Sequence, residues 1–193
     1  MNKRIYALII STCLMLLIGA VQARELEGIN VPEEVLLDGA SAKISLNGVG
    51  MRTKFFFDIY VGSLYLESAA KTPEEVMSQK GPKRVFIHFV YDEVAAEKLV
   101  AGWNEGFEGN LSEQQLAGLA GQIKTFNAMF DTAHAGDEVL LDYLPGQGTR
   151  VTIKGVIKGI IEGEDFNQAL LNIWLGDEPA DEGLKEAMLN ADD

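Results

Sequence analysis

Gly48-Val49-Gly50-Met51-Arg52-Thr53-Lys54-Phe55-Phe56-Phe57-Asp58-Ile59-Tyr60-Val61-Gly62-Ser63-Leu64-Tyr65-Leu66 is the stretch whose reading decides the fold. Residues 51–66 are rich in Phe, Ile, Tyr, Val and Leu, the residues that fit a pleated, half-buried surface, and the spacing predicts one long strand. In a strand the side chains alternate. Arg52, Lys54, Phe56, Asp58 and Tyr60 then share one face, and Met51, Thr53, Phe55, Phe57, Ile59 and Val61 share the other, which reads as core. Asn47-Gly48 ahead of it reads as a turn. Gly48-Val49-Gly50 fits a hairpin turn better than a phosphate cradle.

Working outward, the chain reads as strands, helices, strands, helices. Thr72-Pro73-Glu74-Glu75 opens a short helix with a capping threonine, proline at the first helical position and glutamate three residues on. Residues 84–91 form a strand. Asp92 is placed to cap a helix running to about residue 107. Ser112 and Gln115 make a second capping box, for a helix to about residue 130 whose stripe Leu116, Leu119, Ile123, Phe126 and Phe130 has helical spacing and reads as core. Residues 138–144 and 149–154 flank Pro145-Gly146-Gln147-Gly148 as a hairpin, and residues 156–161 extend the meander. Asp165 is placed to cap a helix carrying Phe166, Leu170, Ile173 and Trp174, stopped by Gly176. A last helix covers about residues 181–190. The order predicts an α+β domain with an antiparallel sheet and helices layered on one face.

The N-terminus has the pattern of a cleavable secretory signal. Lys3 and Arg4 precede an apolar run over residues 5–20, shorter than a membrane-spanning helix needs. Ala20-Val21-Gln22-Ala23 supplies small residues for cleavage after Ala23. Residues 24–193 are then a single periplasmic or secreted domain, with no stable membrane insertion after cleavage. Removal of residues 1–23 takes away Cys13, the one cysteine, which excludes a disulfide framework, a thiolate metal site and a cysteine nucleophile in the exported chain. With 16 Lys and Arg against 29 Asp and Glu, the net charge is −13. That balance argues against nucleic acid and against anionic membrane surfaces as partners, since both need clustered Lys and Arg.

Most catalytic patterns are missing. The two histidines, His88 and His134, are not in metal-ligand spacing, and His88 reads as a structural histidine within a strand. There is no nucleophile elbow, zinc-protease helix, phosphate loop or dinucleotide fingerprint, so no metal and no cofactor is expected. Arg52 is the residue of interest. Beside an apolar cleft it could hold a carboxylate or phenolate with two prongs; equally, it could be a strand arginine paired with Asp58 or with solvent.

The same stretch, residues 48–66, resembles the signature strand pair of the chalcone isomerase-like proteins. The C-terminal part adds to the resemblance with Gly155, Gly159-Ile160-Ile161-Glu162-Gly163, Phe166, Ala169-Leu170-Leu171, Ile173-Trp174-Leu175-Gly176, Pro179 and Leu184-Lys185. It is similar to the bacterial exported branch of that family over about residues 31–189. The resemblance implies an open-faced β-sandwich, a long antiparallel sheet covered by helices with a ligand cleft between them. In the plant enzymes of the family an arginine after the glycine-rich turn draws a deprotonated phenol toward an enone, and Arg52 falls at that position. A threonine of the following strand aligns with Tyr60, a tyrosine of the next helix with Glu97, an asparagine of that helix with Asn104 and a late threonine with Ile173. Other members bind fatty acids, the arginine gripping the carboxylate.

Three functions follow from the resemblance. The first is a non-catalytic binder of a small amphipathic carboxylate such as a fatty acid, with Arg52, Tyr60 and Asn104 as ligand-binding residues. The second is an isomerase of the intramolecular lyase type acting on an unknown enone, with Arg52 as its electrophile. The third is an envelope interaction protein with a vestigial cleft.

Overall fold

A computed structural model of the protein describes residues 23–38 and 43–190. The expected signal segment, residues 1–22, lies outside the described residues. Eleven strands and five helices are described. β1 (Ala23–Leu26) and β2 (Ile29–Pro32) form a separate hairpin. The main sheet is built from β3 (Glu34–Leu36), β4 (Lys43–Lys54), β5 (Phe57–Leu66), β6 (Lys83–Phe89), β9 (Glu138–Leu144), β10 (Gly148–Ile153) and β11 (Val156–Ile161). It is antiparallel throughout, in the order β11-β10-β9-β6-β5-β4-β3. β7 (Glu93–Val94) and β8 (Ala133–His134) pair as a short ribbon.

The stretch read as one strand is a hairpin. Lys54 pairs with Phe57, leaving Phe55 and Phe56 as a two-residue turn. Nothing in the composition marks a turn here, because Phe55 occupies φ +62°, where such turns usually take glycine or asparagine. Phe55, Phe56 and Phe57 are exposed, so the reading of Phe55 and Phe57 as core is overturned. The turn signal at Asn47-Gly48 is also overturned, since both residues lie inside β4. The register shifts between Leu46 and Gly48, and the buried Asn47 acts as a polar rivet. Its Nδ2 donates to the carbonyls of Ala70 and Met188, and its Oδ1 accepts from the Ala70 N–H, each at 2.8 Å.

The glycines of this hairpin serve close packing. α5 (Glu182–Met188) crosses β4 and β5. Gly50 stands opposite Gly62 in the register. A Cβ on Gly48 would meet the Ala187 carbonyl oxygen at 2.1 Å, and one on Gly50 the Ala187 Cβ at 2.5 Å. Only bare backbone lets the helix lie this low.

The other helices cover the same face. α1 (Pro73–Ser78) and α3 (Glu113–Asn127) begin at the expected capping boxes. α2 (Ala96–Asn110) does not begin at Asp92; the β7–β8 ribbon intervenes, and the cap is Ala95, which has no side-chain bond to give. α4 (Glu164–Leu175) is preceded by Gly163 at φ +101°, and Asp165 lies in its first turn with Oδ1 accepting the Phe166 N–H. The expected stripe enters the core through the buried Leu119 and Phe126 of α3 and through Phe130, which lies beyond the helix because α3 ends at Asn127 instead of near residue 130. Around Phe126 gather Trp103, Phe107, Phe130 and Phe166, with ring centroids 4.8–6.2 Å apart.

The opposite sheet face carries Val61, Tyr65, Phe86 and Leu144 under Val31 and Leu37 of the N-terminal segment. A row of directly opposed residues crosses it: Tyr65, Arg84, Asp142 and Arg150. Asp142 is 1% exposed and accepts from Arg84 Nη2 at 2.9 Å and Arg150 Nη2 at 2.8 Å. The row also fastens the N-terminal segment, through Tyr65 Oη to the Pro32 carbonyl and Arg150 Nη1 to that of Asp38.

One substitution made at two glycines should have opposite signs. Gly48→Ala forces α5 off the sheet and should lower unfolding stability by about 1–3 kcal/mol, the usual cost of overpacking. Gly118→Ala, in α3 with nothing within 4 Å of the added Cβ, should raise it by about 0.5–1 kcal/mol. Urea unfolding reads both; a neutral Gly48→Ala would remove the close approach as a constraint.

Candidate functional site

A cleft of about 500 Å³ opens between the β4–β5 hairpin and α2, within the size range of small-molecule sites. Arg52, Phe57, Ile59 and Tyr60 come from the hairpin, Phe89 from β6, Val94 from β7, Leu99, Gly102 and Trp103 from α2, and Ile173 from α4. Phe55, Tyr91 and the exposed pair Lys54 and Glu105, 3.6 Å apart, stand among its lining residues. The walls are mostly apolar. A second hollow, of about 730 Å³, is bounded by Tyr143, Gly146, Gln147, Gly148, Ile160, Glu162, Gly163 and Glu164; it offers carboxylates and backbone, with little apolar wall.

The hairpin turn assembles the polar end of the cleft. Arg52 and Tyr60, eight residues apart in sequence, are direct cross-strand partners. The guanidinium carbon lies 5.4 Å from the centroid of the Tyr60 ring, within range of a cation–π contact. The expected face-sharing of these two residues therefore holds, through pairing across two strands rather than along one. Thr53, the next residue, is tied down because its N–H and hydroxyl both donate to Asp181 Oδ2, at 3.0 and 3.1 Å, while Asp181 Oδ1 caps α5 at Leu184 N–H.

Arg52 itself has no such tie. Among the described residues none accepts a hydrogen bond from it, and its Nε is buried without a partner. Asp58, the alternative partner, is not ion-paired to it. Trp103 Nε1, also in the cleft wall, is a second buried donor without an acceptor. Such groups are rare in folded proteins, and each calls for an explanation.

Tyr60 is almost wholly buried. Its oxygen accepts the Trp174 Nε1–H at 2.8 Å, bonding β5 to α4. Burial raises its pKa above the ordinary tyrosine value, against the pull of the Arg52 charge. Tyr60 is therefore a neutral phenol at neutral pH, with its own proton still to donate.

Asn104 is not brought to the cleft. It lies on α2, turned toward α3, where its Oδ1 accepts from Asn127 Nδ2 at 2.7 Å. Glu97 is not among the lining residues, whereas Ile173 is, as an apolar wall. His88 sits in β6 with Nδ1 3.2 Å from Glu138 Oε1, away from the cleft. Among the described residues no group of three or more His, Cys, Asp or Glu side chains could hold a metal ion. Sequence reasoning missed Trp103 as a cleft residue; its place on the inner side of α2, near Leu99 and Phe107, was the available signal.

A curled antiparallel sheet with its helices on one face and an apolar cleft at the end of a glycine-bearing hairpin is an α+β fold of chalcone isomerase-like type. The chain belongs to the chalcone isomerase-like family, whose model matches residues 23–190. Among solved structures it is similar to a fatty-acid binding protein of Arabidopsis thaliana, with a TM-score of 0.62 and 17% sequence identity, covering 84% of this chain and 92% of that one. At that identity the likeness is one of fold. No curated protein matches the chain in sequence.

The raised tyrosines set an alkaline limit. Tyr65 is shifted upward too, chiefly by burial. The folded state then keeps protons that the unfolded chain loses, so stability is full below the unfolded tyrosine value near 10 and falls as pH rises through it. In Tyr60→Phe the Tyr60 share of that fall should vanish, and Trp174 should lose its acceptor at a cost of about 1–3 kcal/mol. Thermal unfolding between pH 8 and about pH 11 measures both; an unchanged alkaline slope in Tyr60→Phe would contradict the assignment.

Proposed function

We propose that the protein is a binding module for a small amphipathic carboxylate of the fatty-acid type, held in the cleft with Arg52 as its anchor. The observation that carries the reading is a partly buried arginine without an acceptor in a cleft whose walls are mostly apolar, although Lys54, Glu93, Lys98 and Glu105 are also among its lining residues. A guanidinium there satisfies a carboxylate with two parallel bonds, and a carboxylate entering an apolar site needs such a partner, because burying it unpaired is expensive. Tyr60, neutral and with a free proton, adds a donor beside it. The apolar lining from Ile59, Phe89, Leu99 and Ile173 suits the tail. The structurally similar Arabidopsis thaliana protein is itself described as fatty-acid binding, which supports the same ligand class.

Binding is favoured over ring closure by two placements. Asn104 is engaged with Asn127 outside the cleft, and Ile173 offers an apolar surface where the plant enzymes carry a hydroxyl. We place the activity outside the cytoplasm, on the strength of the signal pattern in residues 1–23.

Arg52→Ala should weaken binding of a medium-chain fatty acid by about 10- to 100-fold, the worth of a charge-assisted bond, while leaving the unfolding midpoint close to wild type. Arg52→Lys, which keeps the charge without the fork, should fall between. Isothermal titration reads the affinities. Equal affinity in wild type and Arg52→Ala would refute the anchor. Native mass spectrometry of protein purified from its host would show which molecule occupies the cleft.

A further inference from the structure

We propose that the Phe55–Phe57 tip of the β4–β5 hairpin docks the protein on the surface of a zwitterionic lipid bilayer, with the cleft mouth turned toward it. Phe55, Phe56 and Phe57 are 85%, 98% and 55% exposed. Three consecutive phenylalanines in water are unfavourable unless they meet an apolar phase. They are displayed at some cost, since Phe55 holds φ +62°, a region a bulky side chain rarely adopts.

The shape and area of the tip select the occupant. At on the order of 200 Å² per phenylalanine side chain, the three expose roughly 500 Å² in all. A stable protein interface takes about 800 Å² from each partner and matches it in shape. A two-residue turn is a convex point rather than a face, so a second copy of the chain or another protein finds too little to bury there. A bilayer surface needs no complementary shape, and aromatic side chains settle at its headgroup level. The charges beside the tip come in both signs, Lys54 and Asp58 flanking it and Lys54 bridged to Glu105. With a net charge of −13, the protein has no electrostatic attraction to an anionic membrane. Among the described residues no helix is long and apolar enough to cross a bilayer, so the contact is peripheral.

The tip is continuous with the cleft. Phe55 and Phe57 are among the cleft's lining residues, and Tyr91 extends the aromatic rim with its ring centroid 5.5 Å from that of Phe57. An apolar tail passing between bilayer and cleft stays against aromatic surface. This route takes the amphipathic-ligand reading as its context, but the docking is tested separately because Phe56 does not line the cleft.

Phe56→Ser should reduce partitioning onto phosphatidylcholine–phosphatidylethanolamine vesicles by at least about tenfold, as expected when one phenylalanine no longer leaves water. Its fatty-acid affinity in solution should equal wild type. Arg52→Ala should show the reverse pattern, and a failure confined to Arg52 would sink the ligand reading without touching the docking. Phe56→Trp reports on the tip itself, and its fluorescence should shift to the blue and be quenched by brominated lipid, with high salt making no difference. An unquenched tryptophan at position 56, or vesicle binding by Phe56→Ser equal to wild type, overturns the proposal. So does binding that requires anionic lipid and is lost in salt. A change of sedimentation from dimer to monomer in Phe56→Ser would assign the tip to a second copy instead.

Discussion

Helix α5 lies so low on β4 and β5 that Gly48 and Gly50 have no room for a side chain, and Gly62 is tightly covered. The cleft depends on that contact. α5 begins at Asp181, and one carboxylate both caps the helix and holds Thr53. Thr53 is the chain neighbour of Arg52. The strand that sets Arg52 against Tyr60 is therefore held from the far end of the sequence, by a helix that contributes no wall to the cleft. Tyr60 in turn is bonded to Trp174 of α4. The arginine end of the cleft is thus bracketed by two helices through buried or capped polar bonds. Its position is set by tertiary packing, as a preorganised site requires.

The two faces of the sheet use arginine in opposite ways. On the outer face Asp142 neutralises Arg84 and Arg150 together, and although Arg150 leaves its Nε without a partner, both of its terminal nitrogens are bonded. That arrangement neutralises its charges internally and fastens the N-terminal segment. On the inner face Arg52 has an aromatic ring for company and no carboxylate. Partly buried charges are ordinarily paired, since desolvation is costly. Arg52, without a carboxylate partner, is a departure from that rule, and it lines a mostly apolar cleft. This contrast within one sheet is a stronger ground for a binding role than the presence of an arginine alone.

Much of the fold was legible in local signals. The capping boxes at Thr72 and Ser112 act through a side chain and its own neighbours, so residue type and spacing suffice to find them. The hairpin around Gly146 carries its own turn chemistry. The errors came where a distant element decided. Gly48 looked like a turn because nothing nearby reveals α5, more than 130 residues further along. Asn47 looked like a turn residue because its three partners, on Ala70 and Met188, are made only by the fold. The Phe55-Phe56 turn defeated composition altogether, since aromatic residues favour strands and the strain at Phe55 is invisible in a sequence. The site was legible in part. Arg52 and Tyr60, named from a face argument that the hairpin then rearranged, both line the cleft. Asn104 was carried over by resemblance and turned out to serve the contact between α2 and α3, because helix rotation cannot be read from an uncertain alignment.

The overall charge bears on what such a cleft can select. A free carboxylate approaching a chain of net charge −13 meets repulsion at long range, although physiological salt screens it beyond about 8 Å. Steering therefore does not favour anions, and a small one such as acetate would gain only the proposed contact with Arg52, after losing its own hydration. An amphipathic carboxylate bound as proposed would gain that contact together with burial of its tail against Ile59, Phe89, Leu99 and Ile173. Tail burial grows with each methylene by about 0.8 kcal/mol, whereas the anchor contributes once. On the proposed reading, discrimination between carboxylates of different tail length would rest with the apolar wall, while the arginine would anchor each of them alike. On the proposed reading, an acidic surface around an arginine without a carboxylate partner would disfavour small anions while leaving lipid-like ones the means to bind.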